Sequence, residues 1–240
     1  MKYISVKMKV SQGPDGITFI DDLMKFSRHD ASRVFRDILY IFVCCFTMGK
    51  MEEEYLERIK PYSREELGHM QKLLADISNE DRALEDLFGQ TYMDVASKWS
   101  KSGLGQFFTP TTLCEVMAQM TPPEKYANKI LDPACGSGRT LLASAKQFKQ
   151  LRRLAQYYVA IDLDEVCVNM CTLNMFLNGL QGRIIQGNSL SLECYKGYEI
   201  GFTERGIPDL RPLTMEECNQ TMRAGLKEAP KKEEQQLELF

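Results

Sequence analysis

The sequence holds 240 residues, 44% of them hydrophobic and 26% charged, with a formal net charge of −3. That composition suits a globular protein with one good core and excludes a general polyanion binder, so any contact with nucleic acid must come from a local patch or another subunit. Eight cysteines and two histidines occur, but no Cys-x-x-Cys spacing does; this points to reduced thiols in a cytoplasmic protein, with no disulfide framework and no metal.

The N-terminal stretch MKYISVKMKVSQGPDG lacks an apolar core of signal-peptide length, and Gly-Pro-Asp-Gly at 13–16 reads as a turn. A first helix is expected from Ser27 to Met48, with Ser27 and Asp30 as a capping-box-like start and Gly49 at its exit. Its apolar run ILYIFVCCF (38–46) is far shorter than the roughly 20 residues a bilayer requires, so no membrane association is expected. MEEEYLERIK reads as a second helix stopped by Pro61, and Ser63 with Glu66 opens a third running to about Ile77. A fourth helix is expected from Asn79 onward, with Leu84, Leu87, Phe88 and Val95 at helical spacing. Residues 1–104 thus read as an N-terminal helical region.

KSGLG (101–105) reads as a linker into QFFTPTTLCEVMAQM, where Thr109-Pro110 opens a helix. A strand then ends at Asp132, followed by the small-residue turn PACGSG and a helix over 139–151 that runs into Arg152 and Arg153. YYVAID (157–162) is a second strand. DEVCVNMCTLNMFLNG is a helix with Asp164 as its cap, and GRIIQGN (182–188) is a third strand. Cys167 and Cys171 stand one helical turn apart and read as small apolar residues on a buried face. Strand, helix, strand, helix, strand is half of a doubly wound α/β sheet. After Ser189 the pattern fades: YEIGFT (198–203) suggests a short strand, Pro208-Asp209 a turn and CNQTMRAGLKEA a short helix. Residues 105–222 form the α/β domain in this reading, and 223–240 a charged tail with an apolar end.

Chemistry concentrates in four segments: GQFFTP (105–110), DPACGSG (132–138), Asp162 closing the second strand, and GNSL (187–190). A glycine turn between strand and helix brings backbone N–H groups to a nucleotide-like ligand, because Gly136 and Gly138 carry no Cβ to obstruct the approach. An acid about 20 residues beyond such a turn reaches a ribose diol, and Asp162 holds that place.

Together these segments resemble the S-adenosylmethionine-dependent DNA adenine methyltransferases acting at N-6, above all the modification subunit of type I restriction systems and its phage and plasmid relatives. The likeness covers about residues 80–190, including LEDLFGQTYM. It implies a Rossmann-like methyltransferase fold with a shortened sheet, S-adenosylmethionine as cofactor, DNA as substrate and a specificity subunit as partner. It also implies roles. Phe107, Thr109 and Pro110 would close over the methionine end of the cofactor. Asp132, Ala134, Gly136, Ser137 and Gly138 would border its amino-acid moiety, with backbone amides facing the carboxylate. Asp162 would hold the ribose, Leu163 would pack on the adenine and Asn188 would stand at the adenine edge.

The family's catalytic element, an Asn or Asp followed by two prolines and an aromatic, holds a flipped-out adenine after the next strand. The chain beyond GNSL contains no such tetrapeptide, although YEIGF occupies the place of the strand leading to it; the Pro-Pro pair, Pro122-Pro123, precedes the glycine turn. Three readings stay open: a methyltransferase with an unfamiliar acceptor site or a completing partner, a non-catalytic cofactor-binding relative, and a fragment of a split or decayed enzyme. The terminal QLELF resembles the peptide by which bacterial replication and repair proteins dock on the DNA sliding clamp. That likeness assigns Gln236, Leu237, Leu239 and Phe240 to clamp binding, in an accessory protein as the alternative function. Packing of this apolar end on its own domain is the competing reading.

Overall fold

A computed structural model describes residues 11–13, 16–78, 84–99, 107–121, 129–150 and 157–227. The linker 101–105, Pro122-Pro123, Arg152, Arg153 and QLELF lie outside the described residues.

Two short strands, β1 (Ser11–Gly13) and β2 (Gly16–Thr18), pair antiparallel, followed by one helical turn, α1 (Ile20–Leu23). Helix α2 (Ala31–Phe46) begins later than Ser27 because the Asp30 carboxylate accepts from Arg33 N–H at 3.0 Å and fixes the first turn there. Gly49 follows with φ +88, as the exit required. Helix α3 (Glu52–Ile59) stops before Pro61.

Helix α4 (Arg64–Ser78) opens on the expected reciprocal cap. Ser63 N–H donates to Glu66 Oε2 at 2.7 Å, and Glu66 N–H donates to Ser63 Oγ at 3.3 Å. The Ser63 backbone N–H, its hydroxyl and the Arg28 guanidinium lower the Glu66 carboxyl to about 2. A carboxyl depressed by folding contributes stability above its unfolded value, here 4.5, and loses that contribution as pH falls toward about 2. Glu66→Gln is therefore expected to flatten the acid limb of a urea-stability profile across that window, and an unaltered limb would contradict the cap.

The helix expected from Asn79 does not run through. Leu84 adopts φ +63, outside helical space, and Asp86 receives the amides of Phe88 (3.1 Å) and Gly89 (2.9 Å). Helix α5 (Gly89–Trp99) starts only after that turn. Helix α6 (Thr111–Met120) follows Pro110.

One sheet of five strands organises the rest, in the order β3 (Lys129–Asp132), β4 (Tyr157–Asp162), β5 (Gln181–Asn188), β6 (Glu193–Phe202), β7 (Pro208–Pro212). β3, β4 and β5 are parallel and joined through α7 (Arg139–Gln150) and α8 (Glu165–Leu177), as the sequence pattern requires. β6 and β7 then continue antiparallel, and α9 (Met215–Lys227) returns across the sheet. The fading pattern after Ser189 thus hides a ten-residue strand, and Pro208-Asp209 begins a strand instead of forming a turn. Asp209 is held by Lys50 at 2.8 Å. Among the described residues β3 is paired on one edge only.

Ten consecutive residues of α8, Val166 to Met175, are buried. A helix covered all round needs a layer on each side. The sheet supplies one and α2 the other, with Phe46 and Phe176 rings 4.6 Å apart. A single apolar cluster runs from Phe35 and Phe42 through Met170 to Tyr158 and Ile184. A smaller one, Val159, Ile161, Ile185 and Met222, lies on the other face under α9. No helix among the described residues is long and apolar enough to cross a membrane.

Candidate functional site

The carboxyl ends of the parallel strands carry the turn after β3, the loop after β4 and the hairpin after β5. Ligands in open α/β sheets bind at that end. The turn is built by its own backbone. Ala134 N–H donates to Asp132 Oδ1 (3.1 Å), Cys135 N–H to Ile161 O (2.9 Å), Gly136 N–H to Asp162 Oδ2 (2.9 Å) and Gly138 N–H to Cys135 O (2.8 Å). Thr140 Oγ1 donates to Asp132 Oδ2. Gly136 (φ +53) and Gly138 (φ +91) lie in the left-handed region, with Phe108 and Cys171 against the space a Cβ would take.

These bonds correct part of the sequence reading. The amides of Ala134, Gly136 and Gly138 were expected to face a ligand carboxylate, yet each is consumed in shaping the turn. Asp132 serves the turn as well. The Ser137 hydroxyl points inward and donates to Asp86 Oδ2 at 2.6 Å. An anion at this turn would meet the first N–H groups of α7 instead, the orphan donors of every helix N-terminus.

Asp162 ends β4. Its oxygens accept from Gly136 N–H and from Asp164 N–H, both at 2.9 Å. Asp164 is the cap of α8, accepting from Val166 N–H at 2.8 Å, which leaves Asp162 outside the helix as expected. Burial raises the Asp162 carboxyl above its ordinary value, against the lowering effect of the two amides. Each carboxylate oxygen accepts two bonds, so a diol can still be received. Leu163 beside it is 58% exposed, a large apolar side chain turned to solvent. Gln186 Nε2 donates to Leu163 O at 3.3 Å and ties β5 to this loop. Asn188, at the end of β5, accepts Leu190 N–H (2.9 Å) and Ser191 N–H (3.2 Å) through Oδ1, so its carbonyl shapes the hairpin.

The FFTP segment lies across the turn. Phe107, Phe108, Thr109, Ala134, Gly136, Ser137 and Thr140 are among the residues lining a cavity of about 90 Å³. That volume suits one end of a nucleoside-sized ligand, whose remainder would extend over the surface toward Leu163. Phe107 is 85% exposed. Phe108 is the ring seated on Gly136, 5.1 Å from Tyr92 and 5.6 Å from the Arg139 guanidinium carbon. Pro110 sits at the mouth of α6, outside the cavity lining.

Sequence reasoning missed Asp86, Arg139, Asn174 and Phe108. Asp86 and Arg139 form a buried pair at 2.6 Å, and Arg139 Nη1 donates to Thr109 O at 3.3 Å. The signal lay in LEDLFG itself: an acid ahead of an Asx-type turn, in the segment that the resemblance already covered. Cys167 and Cys171 are both buried in α8. Burial pushes the Cys167 thiol far up.

Residues 83–200 match the family model described as N-6 DNA methylase. This stretch, just under half of the chain, is similar to the N-6 DNA methylase family. Three curated relatives are methylase subunits of type I restriction enzymes. The MpnII subunit of Mycoplasma pneumoniae is 34% identical over 101 residues, 40% of this chain and 18% of the relative. The EcoEI subunit of Escherichia coli is 28% identical over 104 residues, 40% of this chain and 21% of the relative. The MjaVII subunit of Methanocaldococcus jannaschii is 27% identical over 129 residues, 51% of this chain and 22% of the relative. The matched stretch is thus about a fifth of each of these relatives. No solved structure matches. The matched stretch begins just before Asp86 and ends in β6, so it contains the whole turn and all of its supports.

Proposed function

We propose that the chain is the S-adenosylmethionine-binding part of an N-6 adenine DNA methyltransferase of restriction-modification type, with the acceptor site completed by a partner. The observation that carries this is the bond from Gly136 N–H to Asp162, which ties the second-strand acid to the glycine turn whose residues line a cavity with Phe108 and Thr109. In this reading the Asp162 carboxylate accepts the ribose hydroxyls, Leu163 covers one face of the adenine and Asn188 stands at its edge. The N-terminus of α7 faces the ligand carboxylate, and Phe107 closes over the methionine end. The cofactor, when bound, supplies a methyl group on a positively charged sulfur. The residues of this chain hold and orient it.

The acceptor side is assigned to a partner on topological grounds. The register pairs Asn188 with Glu193 and Gly182 with Ile200, so β6 runs away from the turn. The loop after β6 lies at the opposite end of the sheet, and YEIGF cannot present a base-holding loop to the crevice. A specificity subunit bringing DNA is the partner that fits this reading.

Two measurements test it. Calorimetry with S-adenosylmethionine is expected to show saturable binding to the chain alone. Transfer of radiolabelled methyl to adenine in unmethylated DNA is expected only after a specificity subunit is added. Absence of cofactor binding would overturn the proposal. Label in adenine without any partner would overturn its second half.

A further inference from the structure

Asp86 contributes no atom to the crevice, yet the segments around it converge on its carboxylate. Its side chain is 1% exposed. Oδ1 accepts from Phe88 N–H (3.1 Å), Gly89 N–H (2.9 Å) and Asn174 Nδ2 (2.7 Å), while Oδ2 accepts from Ser137 Oγ (2.6 Å) and Arg139 Nε (2.6 Å). One oxygen therefore holds the chain's own turn and α8, and the other holds the glycine turn. Asn174 braces the same junction, donating to Ser137 O at 2.8 Å and accepting Leu87 N–H at 2.9 Å. Arg139 passes the connection on to Thr109 O. A Cβ on residue 89 would lie 2.0 Å from Asp86 Oδ2 and 2.9 Å from Ser137 Oγ, so this approach requires Gly89.

A buried ion pair within a polar network is a poor way to gain stability compared with apolar packing, but it selects a single arrangement of the groups it joins. Here those groups are Ser137, Arg139 and, through Arg139, Thr109. We propose that Asp86 is the positioning residue of the cofactor site, setting the turn and the FFTP segment in the one relation that accepts the amino-acid end of the ligand. The inference rests on the reading of this turn as an S-adenosylmethionine site, and it names a residue acting only through others.

The test compares two ligands on the full chain: S-adenosylmethionine and 5′-methylthioadenosine, which lacks the amino-acid end. Asp86→Asn and Ser137→Ala are each expected to weaken S-adenosylmethionine about tenfold or more, the equivalent of one or two lost hydrogen bonds. 5′-Methylthioadenosine affinity should stay within about twofold in the same variants, since the ribose and adenine contacts are untouched. Ser137→Ala leaves the Asp86–Arg139 pair in place and decides the matter if Asp86→Asn does not fold. Equal weakening of both ligands would mean a general structural role and would overturn the proposal, as would no weakening of either. If the unmodified chain binds neither ligand, the cofactor reading fails on its own, and amide exchange then decides this inference. Faster exchange across 134–140 in the variants, with β4 and β5 unchanged, upholds the positioning role; unchanged exchange across 134–140 overturns it.

Discussion

Gly136→Val is expected to eliminate S-adenosylmethionine binding in calorimetry and to cost about 2–4 kcal/mol of stability, the sum of backbone strain and overpacking. Two effects add. At φ +53 a β-branched residue sits in a region it almost never enters. Its Cβ would also lie 3.0 Å and 3.1 Å from two carbons of the Phe108 ring, before either γ-methyl is counted. That ring has little freedom, since Tyr92 lies against it at 5.1 Å and the Arg139 guanidinium at 5.6 Å. If the turn gives way, Gly136 N–H leaves Asp162; if the ring gives way, the cavity wall moves. Either movement opens the crevice. Gly179→Ala separates the two effects, because Gly179 has φ +65 and a Cβ there would meet nothing within 4 Å. It should show strain alone, about 1 kcal/mol, with binding intact. Asp162→Ala is the companion from the ligand side and should abolish binding with a smaller change in stability. Unchanged affinity in both Gly136→Val and Asp162→Ala would remove the site assignment.

The parts of this site legible in the sequence are those whose cause is local. Ser63 and Glu66 lie three residues apart and cap each other. Asp164 precedes its helix and caps it. The glycines mark a turn that only they can make, and the spacing from Gly138 to Asp162 spans one helix and one strand. What stayed hidden depends on partners far along the chain. Asp86 meets groups 51, 53 and 88 residues away, and nothing in LEDLFG states that it will be buried among them. The same distance misled the helix assignment, since helical spacing from Leu84 to Val95 is present although the chain turns at Asp86. Strand direction was equally silent. A run such as YEIGF has the same period whether it pairs parallel or antiparallel, so the position of its exit loop follows from the sheet alone. Phe107 and Phe108 show the limit at single-residue scale: adjacent and chemically identical, one is 85% exposed while the ring of the other is seated on Gly136.

The largest effect on stability is expected from Asp86→Ala, at about 3–5 kcal/mol in urea denaturation, the usual consequence of stranding one member of a buried ion pair. Arg139 has a side chain 4% exposed and donates to Asp86 at 2.6 Å, so its charge would remain buried without its carboxylate. The amides of Phe88 and Gly89, the Asn174 amide and the Ser137 hydroxyl would lose an acceptor in the same step. A double-mutant cycle divides these contributions. Arg139→Met in the Asp86→Ala background removes the stranded charge while keeping most of the side-chain volume, and should recover part of the loss. The unrecovered part belongs to the amides and the hydroxyl, whose unmet hydrogen bonds no apolar replacement at 139 can restore. Full recovery would show that the ion pair alone accounts for Asp86 in stability, and no recovery would show that the turn's amides dominate. Both single variants should lose cofactor binding, because the support of the glycine turn is the same network whichever end is cut.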